Sequence, residues 1–180
     1  MASPVIIVFT GEGKGKTEAA LGLLLRALGA DFKVAFIQFI KIWPTSEDKT
    51  LADLQKLYPN QLFLHKGGKG FYRAGKHSAK NISPQEHQAS ALATYNLALD
   101  LAKSGTYDLV ILDEVNNAVV GGLLDLAQLK TIITTTKSHL ALTGRNFPQE
   151  LLPLTSITTN MQKLKHHFDT GTPALPGLDF

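Results

Sequence analysis

The stretch Val5-Ile6-Ile7-Val8-Phe9-Thr10-Gly11-Glu12-Gly13-Lys14-Gly15-Lys16-Thr17 decides how this chain folds. Five consecutive apolar residues, Val5 to Phe9, suit a strand covered on both faces. Behind the loop, Thr17 to Leu28 repeats its apolar residues at helical spacing, and Gly29 supplies a C-terminal stop. Strand, glycine-rich loop and helix in that order are the context of a phosphate-binding loop. The glycines let backbone N–H groups turn inward around phosphate oxygens, and the helix start adds its own amides and positive dipole end. On this reading Gly11, Glu12, Gly13, Lys14, Gly15, Lys16 and Thr17 hold a nucleoside triphosphate. Lys16 meets the distal phosphates and the Thr17 hydroxyl ligates Mg²⁺. The usual pattern, G-x-x-x-x-G-K-[ST], has glycine where Thr10 stands, so the first turn relies on Gly11 and Gly13.

Outward from the loop, strand-like and helix-like segments alternate, which predicts an α/β fold with a mainly parallel sheet. Strands are expected over 33–40, 61–65, 107–112, 139–143 and 157–164, the last more exposed. Helices are expected over 51–58, from Ser83 to about Lys103, over 123–137 and over 148–154. Ser83 caps the longest of these, Pro84 fits its first turn and Glu86 completes a capping box. The stretch 66–83 is the least regular, and the tail from His166 is read as irregular because of its glycines and prolines.

With 180 residues and no linker or repeat in view, 1–180 is read as one domain. A hydrophobic share of 44% beside 18% charged residues excludes a disordered or membrane chain. The most apolar helix, Ala19 to Ala30, is interrupted by Arg26, and Val5–Phe9 is too short for a signal core, so a cytoplasmic protein is expected. The absence of cysteine removes disulfides, thiolate metal sites and thiol nucleophiles. A net charge of +3 suits an acidic small molecule without selecting one.

The second half of the site is Asp108-Leu109-Val110-Ile111-Leu112-Asp113-Glu114, an apolar strand delivering carboxylates at its C-terminal end, where open α/β sheets place ligands. Asp113 or Glu114 holds Mg²⁺ directly or through water, and the other orients it. Thr143-Gly144-Arg145 ends the next strand in the same way, and Arg145 is a candidate for neutralising phosphate charge. None of the six histidines has metal-ligand spacing.

Several further segments fall in order: Gln38-Phe39-Ile40-Lys41, then Leu112-Asp113-Glu114-Val115-Asn116 with Gly122-Leu123-Leu124, then Thr143-Gly144-Arg145-Asn146 with Pro148 and Glu150-Leu151. Lys165-His166-His167-Phe168-Asp169-Thr170-Gly171 follows, with Ala174, Gly177 and Phe180. Together with the phosphate loop they resemble the P-loop type of ATP:corrinoid adenosyltransferase, which acts in cobalamin synthesis and salvage. The resemblance implies a P-loop NTPase-like (RecA-like) sheet with helices on both faces. It implies transfer of the 5′-deoxyadenosyl group of ATP to the Co(I) of a reduced corrinoid, with release of triphosphate. It extends the ATP contacts to Gln38 and Lys41, and gives Lys16 and Arg145 the task of stabilising the departing triphosphate. It places Phe71, Arg73 and Asn116 against the corrinoid, with Phe71 in an aromatic element that packs under the ring. A flavoprotein reductase as electron donor and a homodimer are also implied.

Two other readings share the same residues. One is a P-loop ATPase or kinase attacking the γ-phosphate. The other is a nucleotide- or corrinoid-binding module without catalysis, motivated by Arg73 and Ile42 where the family pattern differs. A nucleic-acid-binding role is not expected, because the basic stretch 66–80 lacks an aromatic recognition module.

Overall fold

The computed structural model describes residues 3–41, 44–70 and 82–180. Six strands form one sheet: β1 (Ile6–Thr10), β2 (Val34–Gln38), β3 (Leu62–Lys66), β4 (Leu109–Asp113), β5 (His139–Thr143) and β6 (Ile157–Asn160). Their spatial order is β3-β2-β4-β5-β1-β6, and all five pairings are parallel. Every residue of the central strands β2 and β4 is buried, which is why both read as unbroken apolar runs ending in a polar residue.

Side chains alternate between the two faces. On one face Phe36, Ile111 and Ala141 pack against Ala20, Leu24, Ala27 and Leu28 of α1 (Lys16–Leu28) and Leu51 of α2 (Ser46–Leu57). On the other, Val8, Ile37, Val110, Leu112, Leu140 and Leu142 meet α3 (Pro84–Ser104), α4 (Val115–Val120) and α5 (Leu126–Thr135). The P-loop α/β sheet flanked on both faces is therefore as expected, and it is parallel throughout. Among the described residues no helix is long and apolar enough to cross a membrane.

Caps set the helix limits. Ser83 Oγ accepts the Glu86 N–H at 3.2 Å and the Glu86 carboxylate accepts the Ser83 N–H at 2.8 Å, so α3 starts where the sequence places it. α2 starts earlier than the expected Leu51, because Asp48 accepts the Thr45 N–H at 2.9 Å and fixes the first turn there. α5 begins at Leu126, after the expected Leu123: Asp125 accepts the Gln128 N–H at 2.7 Å and so caps it. The short α4 is absent from the sequence reading. The expected short helix over 148–154 is a 3-10 turn, Gln149–Leu154, with Pro153 inside it. The tail is not wholly irregular, since His167–Thr170 forms a further 3-10 turn.

β6 stops at Asn160, short of the expected Leu164. There the Met161 N–H donates to the Thr10 carbonyl at 2.8 Å, and the Met161 carbonyl accepts the Gly13 N–H at 2.7 Å. The segment after β6 thus leans on the phosphate loop so closely that a Cβ at Gly13 would lie 2.7 Å from the carbonyl oxygens of both Met161 and Gln162. Gly13→Ala is expected to destabilise the protein by about 1–3 kcal/mol through this clash with backbone. Gly22→Ala, inside α1 with nothing within 4 Å of its Cβ, is expected to add about 0.5–1 kcal/mol. Urea unfolding followed by circular dichroism reads both.

Candidate active site

The parallel register brings the carboxyl ends of the strands to one edge. Gln38 lies opposite Asp113, Phe9 opposite Thr143 and Thr10 opposite Asn160. At this edge the phosphate loop turns at Gly11 (φ 100°) and Gly15 (φ 107°), conformations that favour glycine. Thr10, where the usual pattern has glycine, closes β1, and its hydroxyl accepts the Phe147 N–H at 3.1 Å, tying the loop to the segment after β5. The Lys16 ammonium curls into the loop and donates to the carbonyls of Gly11 at 2.8 Å and Gly13 at 2.5 Å. Burial first, and then the nearby Arg145 charge, hold its pKa below the usual lysine value.

Asp113 is fully buried at the end of β4. Its Oδ1 accepts from the hydroxyls of Thr17 at 2.9 Å and Thr143 at 2.7 Å. Its Oδ2 accepts from the Gln38 amide at 3.2 Å and lies 3.3 Å from Lys41 Nζ. Lys41 also stands 3.6 Å from Glu47 Oε1. Burial pulls the Lys41 pKa down, but Asp113, Glu114 and Glu47 together outweigh it and raise the value.

Glu114 takes a left-handed backbone (φ 65°) at the start of α4, with its N–H donating to the Thr143 hydroxyl at 2.9 Å and its carboxylate accepting from the Asn117 amide. Burial, with the Asp113 charge next, pushes its pKa up to about 7. Asn117 Oδ1 in turn accepts the Arg145 N–H at 2.7 Å. The Arg145 guanidinium lies 3.2 Å from the Glu12 carboxylate, and the two side chains are 57% and 56% exposed, so this contact is weak and exchangeable.

Gly11 to Thr17, Gln38, Lys41, Asp113, Glu114 and Arg145 therefore share one edge. Asn116 does not open onto it: it is fully buried beneath β5, donates to the Gly144 carbonyl at 3.2 Å, and its Oδ1 has no partner among the described residues. Phe71 and Arg73, like Ile42, lie outside the described residues. Thr143, Asn117 and Glu47 escaped the sequence reading. Thr143 stands in the quoted Thr-Gly-Arg segment, but only strand register reveals its bond to Asp113. Thr17, Asp113 and Glu114 supply hydroxyl and carboxylate oxygens, the hard donors that suit Mg²⁺. No group of three or more His, Cys, Asp or Glu side chains gathers as a metal cage among the described residues.

The family model for the ATP:corrinoid adenosyltransferases BtuR/CobO/CobP matches residues 2–180. A corrinoid adenosyltransferase of Pseudomonas aeruginosa is 30% identical over 98% of this chain and 83% of its own length. The corrinoid adenosyltransferase CobA of Salmonella typhimurium is 30% identical over 98% of this chain and 85% of its own. A Nostoc protein, all2391, is 30% identical over 89% of this chain, which spans 44% of that protein.

The raised pKa of Glu114 gives a signed expectation. Between its ordinary value of 4.5 and about 7 the folded state binds the proton that the unfolded state has lost, so this group's contribution to stability falls as pH rises through that window. Glu114→Gln removes that slope. Melting temperatures of the nucleotide-free protein across the window, wild type minus variant, are expected to give a difference that rises as pH falls from about 7 towards 4.5.

Proposed function

The chain belongs to the ATP:corrinoid adenosyltransferase family, and from that premise we propose how its residues carry out the reaction. The activity is transfer of the adenosyl group of ATP to a corrinoid, in cobalamin metabolism. In the proposed chemistry the Co(I) of a reduced corrinoid attacks the ribose 5′-carbon, the carbon–oxygen bond breaks, and inorganic triphosphate leaves with the bonding electrons. Co(I) is itself a strong nucleophile. The protein's work is then to hold carbon against cobalt and to stabilise the triphosphate.

The observation that carries this assignment is the meeting of two exchangeable cations at the loop. Lys16 rests on the loop's own carbonyls and Arg145 on Glu12. Each would trade its resting partner for phosphate oxygens, with the loop amides supplying further donors. Gln38 and Lys41 extend the ATP contacts. Thr17, Asp113 and Glu114 would hold Mg²⁺, which when bound supplies positive charge to the triphosphate. Asn117 positions the Glu114 carboxylate and the Arg145 backbone through its side-chain amide. The reading requires Co(I) to be delivered by another protein, for which a flavoprotein reductase is the expected class. Corrinoid contacts from Phe71 and Arg73 and a homodimer remain part of the same proposal, whereas the enclosed Asn116 is left out of it.

The test is anaerobic incubation with ATP, Mg²⁺ and chemically reduced cobalamin. Triphosphate and a light-sensitive adenosylated corrinoid are expected as products. Lys16→Ala and Arg145→Ala are each expected to lower kcat about 10²–10³-fold, the scale for removing one charge-stabilising donor. Full activity in Arg145→Ala would reduce the Glu12 contact to a surface ion pair. ADP released without cobalt alkylation would overturn the chemistry.

A further inference from the structure

Lys41 sits on the oxygens assigned to the metal. Its Nζ is 3.3 Å from the Thr17 hydroxyl, 3.3 Å from Asp113 Oδ2 and 3.6 Å from Glu47 Oε1. Asp113 is wholly buried, and its other donors, from Thr17, Thr143 and Gln38, are neutral. Among the described residues Lys41 is the one cation within ion-pair distance of it. A buried carboxylate left without a positive partner is strongly unfavourable. The nucleotide-free protein therefore needs Lys41 where it stands.

We propose that Lys41 is a tethered counter-ion that takes the place of the divalent metal at Thr17 and Asp113 until the metal arrives with the triphosphate. The inference rests on the metal ligands assigned above. A divalent ion bound to Thr17 and Asp113 lies within a few ångströms of the ammonium, and the two positive charges repel across a buried, weakly screened gap. Lys41 must then swing away. Two acceptors can receive it: Glu47, already near at the start of α2, and the triphosphate itself. The exchange explains why Glu47, one residue beyond the first residue of α2, is aimed at the site although it has no place in the phosphate loop or the strand ends. It also makes metal binding conditional. The free ion has to displace Lys41 unaided, whereas the metal–nucleotide complex brings the anion that accepts the displaced ammonium.

Mn²⁺, followed by electron paramagnetic resonance, tests the exchange apart from turnover. In nucleotide-free protein, Lys41→Met is expected to bind Mn²⁺ about tenfold more tightly than wild type, within the usual range of coupling between two ligands. The gap is expected to close or reverse when ATP is present. Lys41→Arg, which keeps the charge, is expected to stay as weak as wild type. If Lys41→Met does not fold, Glu47→Gln decides. With one resting place for the ammonium removed, it is expected to lower affinity for Mn²⁺–ATP several-fold while leaving metal-free ATP binding unchanged. Unchanged Mn²⁺ binding in a folded Lys41→Met protein, or in its absence unchanged Mn²⁺–ATP binding in Glu47→Gln, overturns the exchange. Asp113→Asn separates this failure from the other. If it leaves Mn²⁺–ATP binding at the wild-type level, the assigned metal ligands are wrong and the exchange falls with them.

Discussion

The Asp113 carboxylate is withdrawn from solvent and accepts from Thr17 and Thr143 on one oxygen and from Gln38 on the other, where Lys41 supplies the charge. Each partner comes from a different place: the first turn of α1, the end of β5, the end of β2 and the residues just beyond it. A buried charge tolerates little displacement of its donors. The carboxylate therefore fixes where the phosphate loop, the second strand and the fifth strand stand relative to one another. The sheet provides the common edge, and Asp113 sets the distances along it.

Much of this frame was legible because apolar runs and capping residues are local signals. The strands from Ile6, Leu109 and His139 announced themselves by unbroken hydrophobicity, and α3 by Ser83, Pro84 and Glu86. Other limits were misplaced where two local signals competed. The polar first turn of α2 looks like loop until Asp48 is seen bonded back to Thr45. α4 begins at a left-handed Glu114 and lasts six residues, too few for any periodicity to show. β6 ends early because the chain turns to the phosphate loop, a tertiary preference that no window of sequence contains.

The site was legible in its loop and its acidic strand end but not in how they join. Thr10 reads as a missing glycine, whereas its hydroxyl holds the Phe147 amide. Asn116, matched by family pattern, is enclosed below β5, while its neighbour Asn117 reaches both Glu114 and Arg145. Adjacent asparagines on a short helix point to different sides, and only the placement of β5 decides which one meets the site. Thr143 and Glu47 became visible for the same reason, through partners distant in sequence.

The position of β1 has a consequence for how the molecule is made. Among the described residues its strand neighbours are β5 and β6, and its contacts reach far along the chain: Ile6 N–H to the Ser156 hydroxyl spans 150 positions, and Phe147 N–H to Thr10 spans 137. During synthesis the apolar segment from Val5 to Phe9 emerges well before β5 and β6 and waits for them. Pairings of such sequence separation form slowly, and an unpaired apolar strand is exposed to aggregation meanwhile. The phosphate loop that follows β1 acquires its backing only when β5 and β6 have emerged. Phosphate affinity that depends on this edge is thus expected to follow the pairing of β1 with β5 and β6.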